Sequence, residues 1–219
     1  MPLLGVVTIG QTPRPDLEAS FGRHAPGAEV RVLGALDGLS PAQVAALAVP
    51  DAYPLLVRLA GGGTAEIPLS TLAPLVQARA RDLASQGAAA VVVACAGAFP
   101  AIDCGAPVLL PGTLLPGVVR ALTRTGRIGV VAPIEAQVAA ARCKWATDGF
   151  DPKVTWGSPH DERQLAAAAR EMADPALEVV VLDCMGHGDE YREAFARACG
   201  RPVVLAQSVV ARVAGALVS

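Results

Sequence analysis

The chain has 219 residues, of which 53% are hydrophobic and 17% charged, and its formal charge at pH 7 is −2. This composition supplies a sizeable core and argues against long disordered segments. The small net charge and the lack of any Lys/Arg-rich run predict no nucleic-acid partner and no membrane-surface partner. The longest apolar run, residues 87–102, is short and contains Pro100, which argues against a membrane span.

Short runs rich in Val, Leu and Ile alternate with Ala-rich helical patterns, which predicts parallel sheets covered by helices. Strands are predicted at 3–9, 29–34, 89–94, 107–110, 127–132, 153–157, 178–183 and 202–206. Helices are predicted at 15–23, 40–48, 70–86, 114–125, 134–147, 160–173, 189–199 and 208–218. The segment 53–70 differs, because two strand-like runs flank three glycines, a pattern typical of a β-hairpin.

The second half of the sequence repeats the first. The run VVVACAG at 91–97 parallels VVLDCMG at 180–186, and LLGVVTIGQTPRP near the start parallels RIGVVAPIEAQ. We therefore predict an α/β protein with two similar Rossmann-like lobes, parallel sheets, a cleft between the lobes and a hairpin insertion in the first. The predicted ranges are 1–111 for the first lobe (hairpin about 53–70), 112–207 for the second, and 208–219 for a C-terminal helix packing back on the first lobe. The hairpin is also a candidate contact in a possible homodimer.

Two cysteines occupy matched positions in this repeat, Cys95 and Cys184. Ligands of open α/β sheets bind outside the carboxyl ends of the strands, where both cysteines are expected. A thiolate can remove a proton from carbon and a second thiol can return one, without a metal or other cofactor; one cysteine can instead act as a nucleophile. A cysteine that ends a valine strand can also be a small core residue, and the repeat is what favours a catalytic pair.

The residues beside the two cysteines are small or apolar. Gly97 and Gly186 permit tight turns, and backbone N–H groups there can hold a carboxylate. Ala96 and Met185 are included as candidate binding residues through their backbone for the same reason.

The full cysteine set indicates the compartment. Five cysteines, an odd number with no CxxC pair, argue against a disulfide framework or a structural zinc site and for a reducing cytoplasm. Cys104, Cys143 and Cys199 lack the strand-end setting and are interpreted as structural.

The loop after the first strand offers further candidate ligand contacts. Thr8, Gln11, Thr12 and Arg14 supply hydroxyl, amide and guanidinium groups, and Arg14 is suited to clamping a carboxylate. The alternatives are that Thr12 caps the following helix and that Arg14 is a solvated surface residue.

Two more candidates come from the second half. Glu135 lies in the loop that matches the first-strand loop, where it faces the cleft or complements a helix dipole. His187 follows Cys184 by three residues and is suited to orienting or deprotonating the thiol, or to donating to an oxyanion; the alternative is a turn histidine in solvent. The spacing of these residues matches no defined zinc pattern, so no metal is predicted.

Three segments carry a family resemblance: TIGQTPRPDL (8–17), LDCMG (182–186) and PVVLAQSVVARVAGALV (202–218). Together they resemble the AroM protein family. The resemblance implies a relationship to the aspartate/glutamate/hydantoin racemase superfamily, whose cofactor-independent racemases, isomerases and decarboxylases have a cysteine from each lobe at the cleft. That role falls on Cys95 and Cys184. The racemases usually follow their cysteines with Asn-Thr or Thr-His, so the side-chain hydroxyls that bind carboxylate there are missing beside both cysteines here.

The function predicted from these features is a cytoplasmic, cofactor-independent racemase- or isomerase-like enzyme that acts on a small carboxylate by two-cysteine acid/base chemistry. Two alternatives stay open. One is a non-catalytic small-anion-binding or regulatory protein on the same fold, and the other is a single-cysteine lyase or decarboxylase.

Overall fold

The computed structural model describes residues 1–49 and 53–218. These residues divide into two compact units. The first comprises residues 1–111 and the chain from 210 onward, and the second comprises residues 112–209. Ser219, the end of the predicted C-terminal segment, lies outside the described residues. In the described part of the chain, no helix combines the length and apolar character needed to cross a membrane.

The first unit contains a four-stranded parallel sheet with the strand order β2-β1-β5-β6. All six residues of β1 are buried, because this strand has neighbours on both sides and cover on both faces. Its elements in chain order are β1 (Leu3–Thr8), α1 (Pro15–His24), β2 (Glu29–Gly34), α2 (Pro41–Leu47), β3 (Pro54–Arg58), β4 (Thr64–Pro68), α3 (Leu69–Ser85), β5 (Ala88–Val93) and β6 (Val108–Leu109).

The predicted hairpin is confirmed as the antiparallel pair β3–β4. Its turn contains Gly62 at φ +83°, a conformation that favours glycine. Leu55 pairs with Ile67, and both side chains are buried in the core of the first unit, together with Val57. The hairpin is therefore part of that core and does not lie free in solvent.

The second unit contains a parallel sheet of the same topology, with the order β10-β9-β7-β8. In each unit the first strand lies between the second and third, and the fourth lies beyond the third, which confirms the internal repeat. Its elements are α4 (Pro111–Leu122), β7 (Arg127–Ala132), α5 (Val138–Thr147), β8 (Asp151–Trp156), α6 (Glu162–Glu171), β9 (Val179–Leu182), α7 (Asp189–Cys199) and β10 (Val203–Leu205). The last helix, α8 (Ala206–Leu217), begins in the second unit and continues in the first.

Some boundaries differ from those predicted. Helix α4 begins at Pro111, three residues before the predicted start, because proline is well suited to the first position of a helix. The predicted helix from 134 instead begins with a 3-10 turn over Glu135–Gln137 before α5. Helix α8 belongs to the first unit from Val210 on, and Gly215 lies so close to the carbonyl oxygen of His24 that a side chain there would overlap it.

Glu178 stabilises the turn between α4 and β7 by hydrogen bonding. Its carboxylate accepts hydrogen bonds from the backbone N–H groups of Arg124, Thr125 and Gly126, and from the hydroxyl of Thr125 at 2.7 Å. The Arg124 N–H makes the largest contribution, and together these donors lower the pKa of Glu178 to about 2. The carboxylate thus accepts hydrogen bonds from N–H groups that the turn would otherwise leave to water.

We expect Glu178→Gln to lower the melting temperature at pH 7. Because the folded-state pKa of Glu178 lies below its unfolded value of 4.5, its contribution to stability is present above pH 4.5 and is lost as the pH falls towards 2. The difference in melting temperature between variant and wild type should therefore shrink over that range in thermal scans. Glu66→Gln, at an exposed position on the hairpin, is the control. A difference that stays constant between pH 6 and pH 2.5 would contradict this account.

Candidate functional site

Cys95 and Cys184 occupy the same place in their respective units. Each lies two residues beyond the third strand of its parallel sheet, and each is half-buried. The Sγ of Cys95 accepts a hydrogen bond from the N–H of Gly97 at 3.4 Å, and the Sγ of Cys184 accepts one from Gly186 at 3.3 Å. A backbone N–H directed at sulfur stabilises negative charge that develops there. The repeat thus preserves a local sulfur geometry as well as a sequence pattern.

The glycine two residues after each cysteine is closely packed. A Cβ on Gly97 would lie 3.2 Å from Cδ2 of Leu55, and a Cβ on Gly186 would lie 3.1 Å from Cγ of Pro159. Both separations are tighter than ordinary van der Waals contact. The side chains of Ala96 and Met185 are buried, so at these two positions the backbone is the part suited to ligand contact.

The residue before each cysteine differs between the units. Ala94 precedes Cys95, whereas Asp183 precedes Cys184 and is held by α5. Its carboxylate accepts hydrogen bonds from Nζ of Lys144 at 2.9 and 3.2 Å and from Nε1 of Trp145 at 2.8 Å. The side chains of Lys144 and Asp183 are only 10% and 6% exposed. This buried pair fixes the start of the Cys184 turn.

The sequence contains one signal that points to this pair. The chain has two lysines among 18 basic residues, and one of them, Lys144, adjoins a tryptophan in a helical pattern. A buried acidic side chain beside a strand needs a cationic partner. The sequence pattern does not indicate which basic residue provides it.

His187 is fully buried, which contradicts the alternative of a turn histidine in solvent. Burial chiefly, and the charge of His160 in addition, lower the pKa of His187 to about 4. Its ring meets Tyr191 edge to face at 6.3 Å between centroids, and within the described part of the chain neither ring nitrogen has a hydrogen-bond partner. His187 is therefore neutral near pH 7 and is a weak base for deprotonating a thiol. Among the described residues, no group of three or more His, Cys, Asp or Glu side chains is arranged to hold a metal.

Arg14 is buried, which contradicts the alternative of a solvated surface arginine. Its Nη1 donates to Oγ1 of Thr8 at 2.9 Å, and its Nε and Nη2 donate to the carboxylate of Asp16. Burial opposes ionisation of Asp16, but the hydrogen bond and charge of Arg14 outweigh it and lower the pKa of that carboxyl. A ligand carboxylate that used this forked face of Arg14 would have to displace Asp16.

Gln11 connects three segments of the first unit. Its Nε2 donates to the carbonyls of Leu36 and Leu39, and its Oε1 accepts from the N–H of Ala60 in the hairpin loop. The side chain thus joins the first-strand loop to the loop after β2 and to the hairpin. These contacts give Gln11 a structural role beside its predicted one in ligand binding.

Thr12 does not cap α1. Its N–H and hydroxyl both donate to the carboxylate of Asp37, at 2.8 and 2.9 Å, and the helix N-cap is Arg14 without a side-chain capping bond. Asp37 also accepts from the N–H of Gly34 at 2.7 Å. The TIGQTPRP segment is therefore held by an internal network that a periodicity argument does not reveal.

Glu135 is exposed and lines a groove of about 610 Å³ beside α5 and β8. Arg142 and Cys143 line the same groove, whose described lining contains neither Cys95 nor Cys184. The interpretation of Cys143 and Cys199 as structural fits Cys199, which is buried, whereas Cys143 is exposed. The helical pattern around Cys143 predicted the element but not the face on which the thiol lies.

One further residue beside Cys95 was not anticipated. The N–H of Ala98 donates to the Oη of Tyr53, at 3.4 Å, and Tyr53 precedes the first strand of the hairpin. The two residues are 45 positions apart in the chain, so the sequence holds no local signal for this contact.

Solved structures resemble the whole chain. Arylmalonate decarboxylase aligns at a TM-score of 0.66 with 18% identity over 100% of this chain and 93% of that one. Allantoin racemase from Klebsiella pneumoniae aligns at 0.64 with 16% identity over 100% and 88% of the two chains. The maleate isomerase Iso from Pseudomonas putida S16 aligns at 0.63 with 12% identity over 96% and 90%. At these identities, what the structures share with this chain is the fold.

Two parallel α/β units of matched topology are the fold that this chain shares with these decarboxylase, racemase and isomerase structures. The family model described as AroM protein matches residues 4–218. The chain therefore belongs to the AroM family. A search of the curated proteins finds no match.

Proposed function

We propose that the protein is a cofactor-independent, racemase- or isomerase-like enzyme that acts on a small carboxylate. Cys95 and Cys184 are the acid/base pair. The observation that carries this proposal is the shared local geometry: a cysteine two residues beyond the third strand in each unit, its sulfur accepting the N–H of a glycine. The racemase, isomerase and decarboxylase activities named for proteins of the same fold support it.

The proposed reaction has two proton transfers. One sulfur, as thiolate, takes the proton from the carbon next to the carboxylate, so that a C–H bond breaks and an S–H bond forms. The electron pair stays on the substrate as an enolate-like carbanion, which requires directed hydrogen-bond donors. The other thiol then delivers its proton to the opposite face of that carbon, and the two cysteines exchange protonation states.

The decisive measurement is deuterium incorporation into candidate carboxylates in deuterated water, followed by mass spectrometry. We expect alpha-deuteration by the wild type and its loss, by at least about a hundredfold, in both Cys95→Ser and Cys184→Ser, because removing a general acid or base costs roughly 10²–10⁴ in rate. Cys143→Ser, which removes an exposed thiol, is the control and should retain exchange. Exchange that persists in either cysteine variant would exclude two-thiol proton transfer.

A second candidate, a single-cysteine decarboxylase, is favoured by the asymmetry before the cysteines. Only Cys184 follows a buried, ion-paired carboxylate, since the matching position before Cys95 is Ala94. Decarboxylation releases CO₂ and leaves a carbanion that one thiol can protonate. With phenylmalonate as the probe, CO₂ release lost in Cys184→Ser and retained in Cys95→Ser would support this candidate over the first. Loss in both variants would count against it.

A further inference from the structure

Ala96, Gly97 and Ala98 bring no side-chain hydroxyl to the turn after Cys95, but the fold brings one from another segment. Tyr53 Oη accepts the N–H of Ala98, three residues beyond Cys95, at 3.4 Å. The position that a Cβ on Gly97 would occupy lies 3.4 Å from Sγ of Cys95 and 3.5 Å from Oη of Tyr53. Because residue 97 is glycine, no side chain of its own fills this position. The sulfur of Cys95 and the hydroxyl oxygen of Tyr53 therefore border the same unfilled position.

The backbone holds Tyr53 in this place. Its carbonyl accepts the N–H of Leu69, where the hairpin passes into α3, at 3.1 Å. The half-buried ring packs against the core of the first unit, and the neighbouring hairpin residue Leu55 is buried. Tyrosine has few rotatable bonds, so little conformational entropy opposes a contact made by a ring packed in this way. The Tyr53 hydroxyl is therefore held in place by the packing of its ring and does not lie at the tip of a loop.

The contacts of Arg14, the basic residue predicted to clamp a carboxylate, favour recognition by neutral donors. The forked face of Arg14 is occupied by Asp16, as described above. A carboxylate near Cys95 is then best served by hydroxyl and backbone N–H donors, and hydrogen bonds to an ionised carboxylate are stronger than those to a neutral amide. Leu55, whose Cδ2 lies 3.2 Å from the same Gly97 Cβ position, offers an apolar wall for a substituent.

We propose that Tyr53 contacts the substrate: its hydroxyl hydrogen-bonds the carboxylate of a ligand bound at Cys95, while Leu55 contacts an apolar substituent. This inference rests on the proposed function and deepens it, because it places carboxylate recognition on the hairpin insertion. The hydroxyl missing after Cys95 in the sequence is supplied from a different part of the chain.

Alkylation with two matched reagents tests the contact without turnover. With iodoacetate and iodoacetamide the cysteine thiolate, its proton already lost to water, attacks the methylene carbon; a C–S bond forms, the C–I bond breaks and iodide leaves. The reagents differ in carrying a carboxylate or a neutral amide. We expect Tyr53→Phe to lower the iodoacetate/iodoacetamide rate ratio at Cys95 roughly tenfold, the effect of one hydrogen bond to a charged group, with the iodoacetamide rate unchanged. Mass spectrometry of the separate peptides gives the rates at Cys95 and Cys184.

Tyr191→Phe makes the same change beside His187 in the second unit and should leave the ratio at Cys95 as in the wild type. A ratio unaltered by Tyr53→Phe would overturn the proposal, and so would an equal fall in both rates, which indicates a disturbed turn. If the ratio falls but no carboxylate undergoes deuterium exchange, the contact stands and the enzymatic proposal fails. If exchange occurs and the ratio is unaltered, only the role of Tyr53 fails.

Discussion

Replacing Lys144 with methionine should lower the free energy of unfolding by about 3–5 kcal/mol, the cost of removing one partner of a buried ion pair. The substitution leaves Asp183, 6% exposed, with the indole N–H of Trp145 but without the two hydrogen bonds from Nζ. It also removes the ammonium group from above the Trp145 ring, 5.1 Å from its centroid. Denaturant unfolding at neutral pH measures the loss.

The chain offers a matched control, because its other lysine also forms an ion pair. Lys153 contacts Asp174 at 3.3 Å, with side chains 39% and 33% exposed, and Lys153→Met should cost less than about 1 kcal/mol. Adding Asp183→Asn to Lys144→Met removes the stranded charge but keeps an acceptor for Trp145, so the double variant should be more stable than Lys144→Met alone. Equal losses in the two lysine variants would contradict a buried, structurally required pair.

Gly10→Ala is expected to destabilise the protein by roughly 3 kcal/mol, the upper part of the usual range for overpacking. A Cβ at this position would overlap the carbonyl oxygen of Arg58 and lie 2.9 Å from its backbone nitrogen. That carbonyl accepts the N–H of Gln11 at 2.9 Å, so moving β3 away to make room would break a hydrogen bond. Backbone atoms cannot rotate aside as the end of a long side chain does.

Gly61→Ala is the control in the same hairpin. A Cβ there would meet no described atom within 4 Å, so we expect a change within about 0.5 kcal/mol by the same denaturant assay. If both alanine variants have wild-type stability, the close approach of Gly10 to the hairpin is not required for folding.

The strands and the repeat were predictable because buried parallel strands have continuous apolar sequences, as β1 and β5 do. The strand ends then located Cys95 and Cys184 without any tertiary information. Periodicity states which face of an element is apolar, but not which distant group it meets. Lys144 and Asp183 are 39 residues apart, and Tyr53 and Ala98 are 45 apart, so their contacts arise only when the sheets assemble.

The first-strand loop shows the same limit in another form. The residue types in TIGQTPRP fit a ligand-binding loop, and they fit a loop held by internal hydrogen bonds equally well. The deciding partners of Gln11 and Thr12, the carbonyl of Leu36 and the carboxylate of Asp37, lie 25 residues away. The burial of His187 was equally hidden, because glycines on both sides of it are typical of an exposed turn.

The hydrogen bond between Trp145 and Asp183 makes the tryptophan a fluorescent reporter within the protein. The indole N–H donates a hydrogen bond to the carboxylate of Asp183, the residue that precedes Cys184. Indole emission responds to the polarity and charge around the ring. The chain has two tryptophans, so replacing Trp156 with phenylalanine leaves a single emitter attached to this turn. Movement of the Cys184 turn, whether caused by a ligand or by modification of the thiol, can then be followed by fluorescence without any added label.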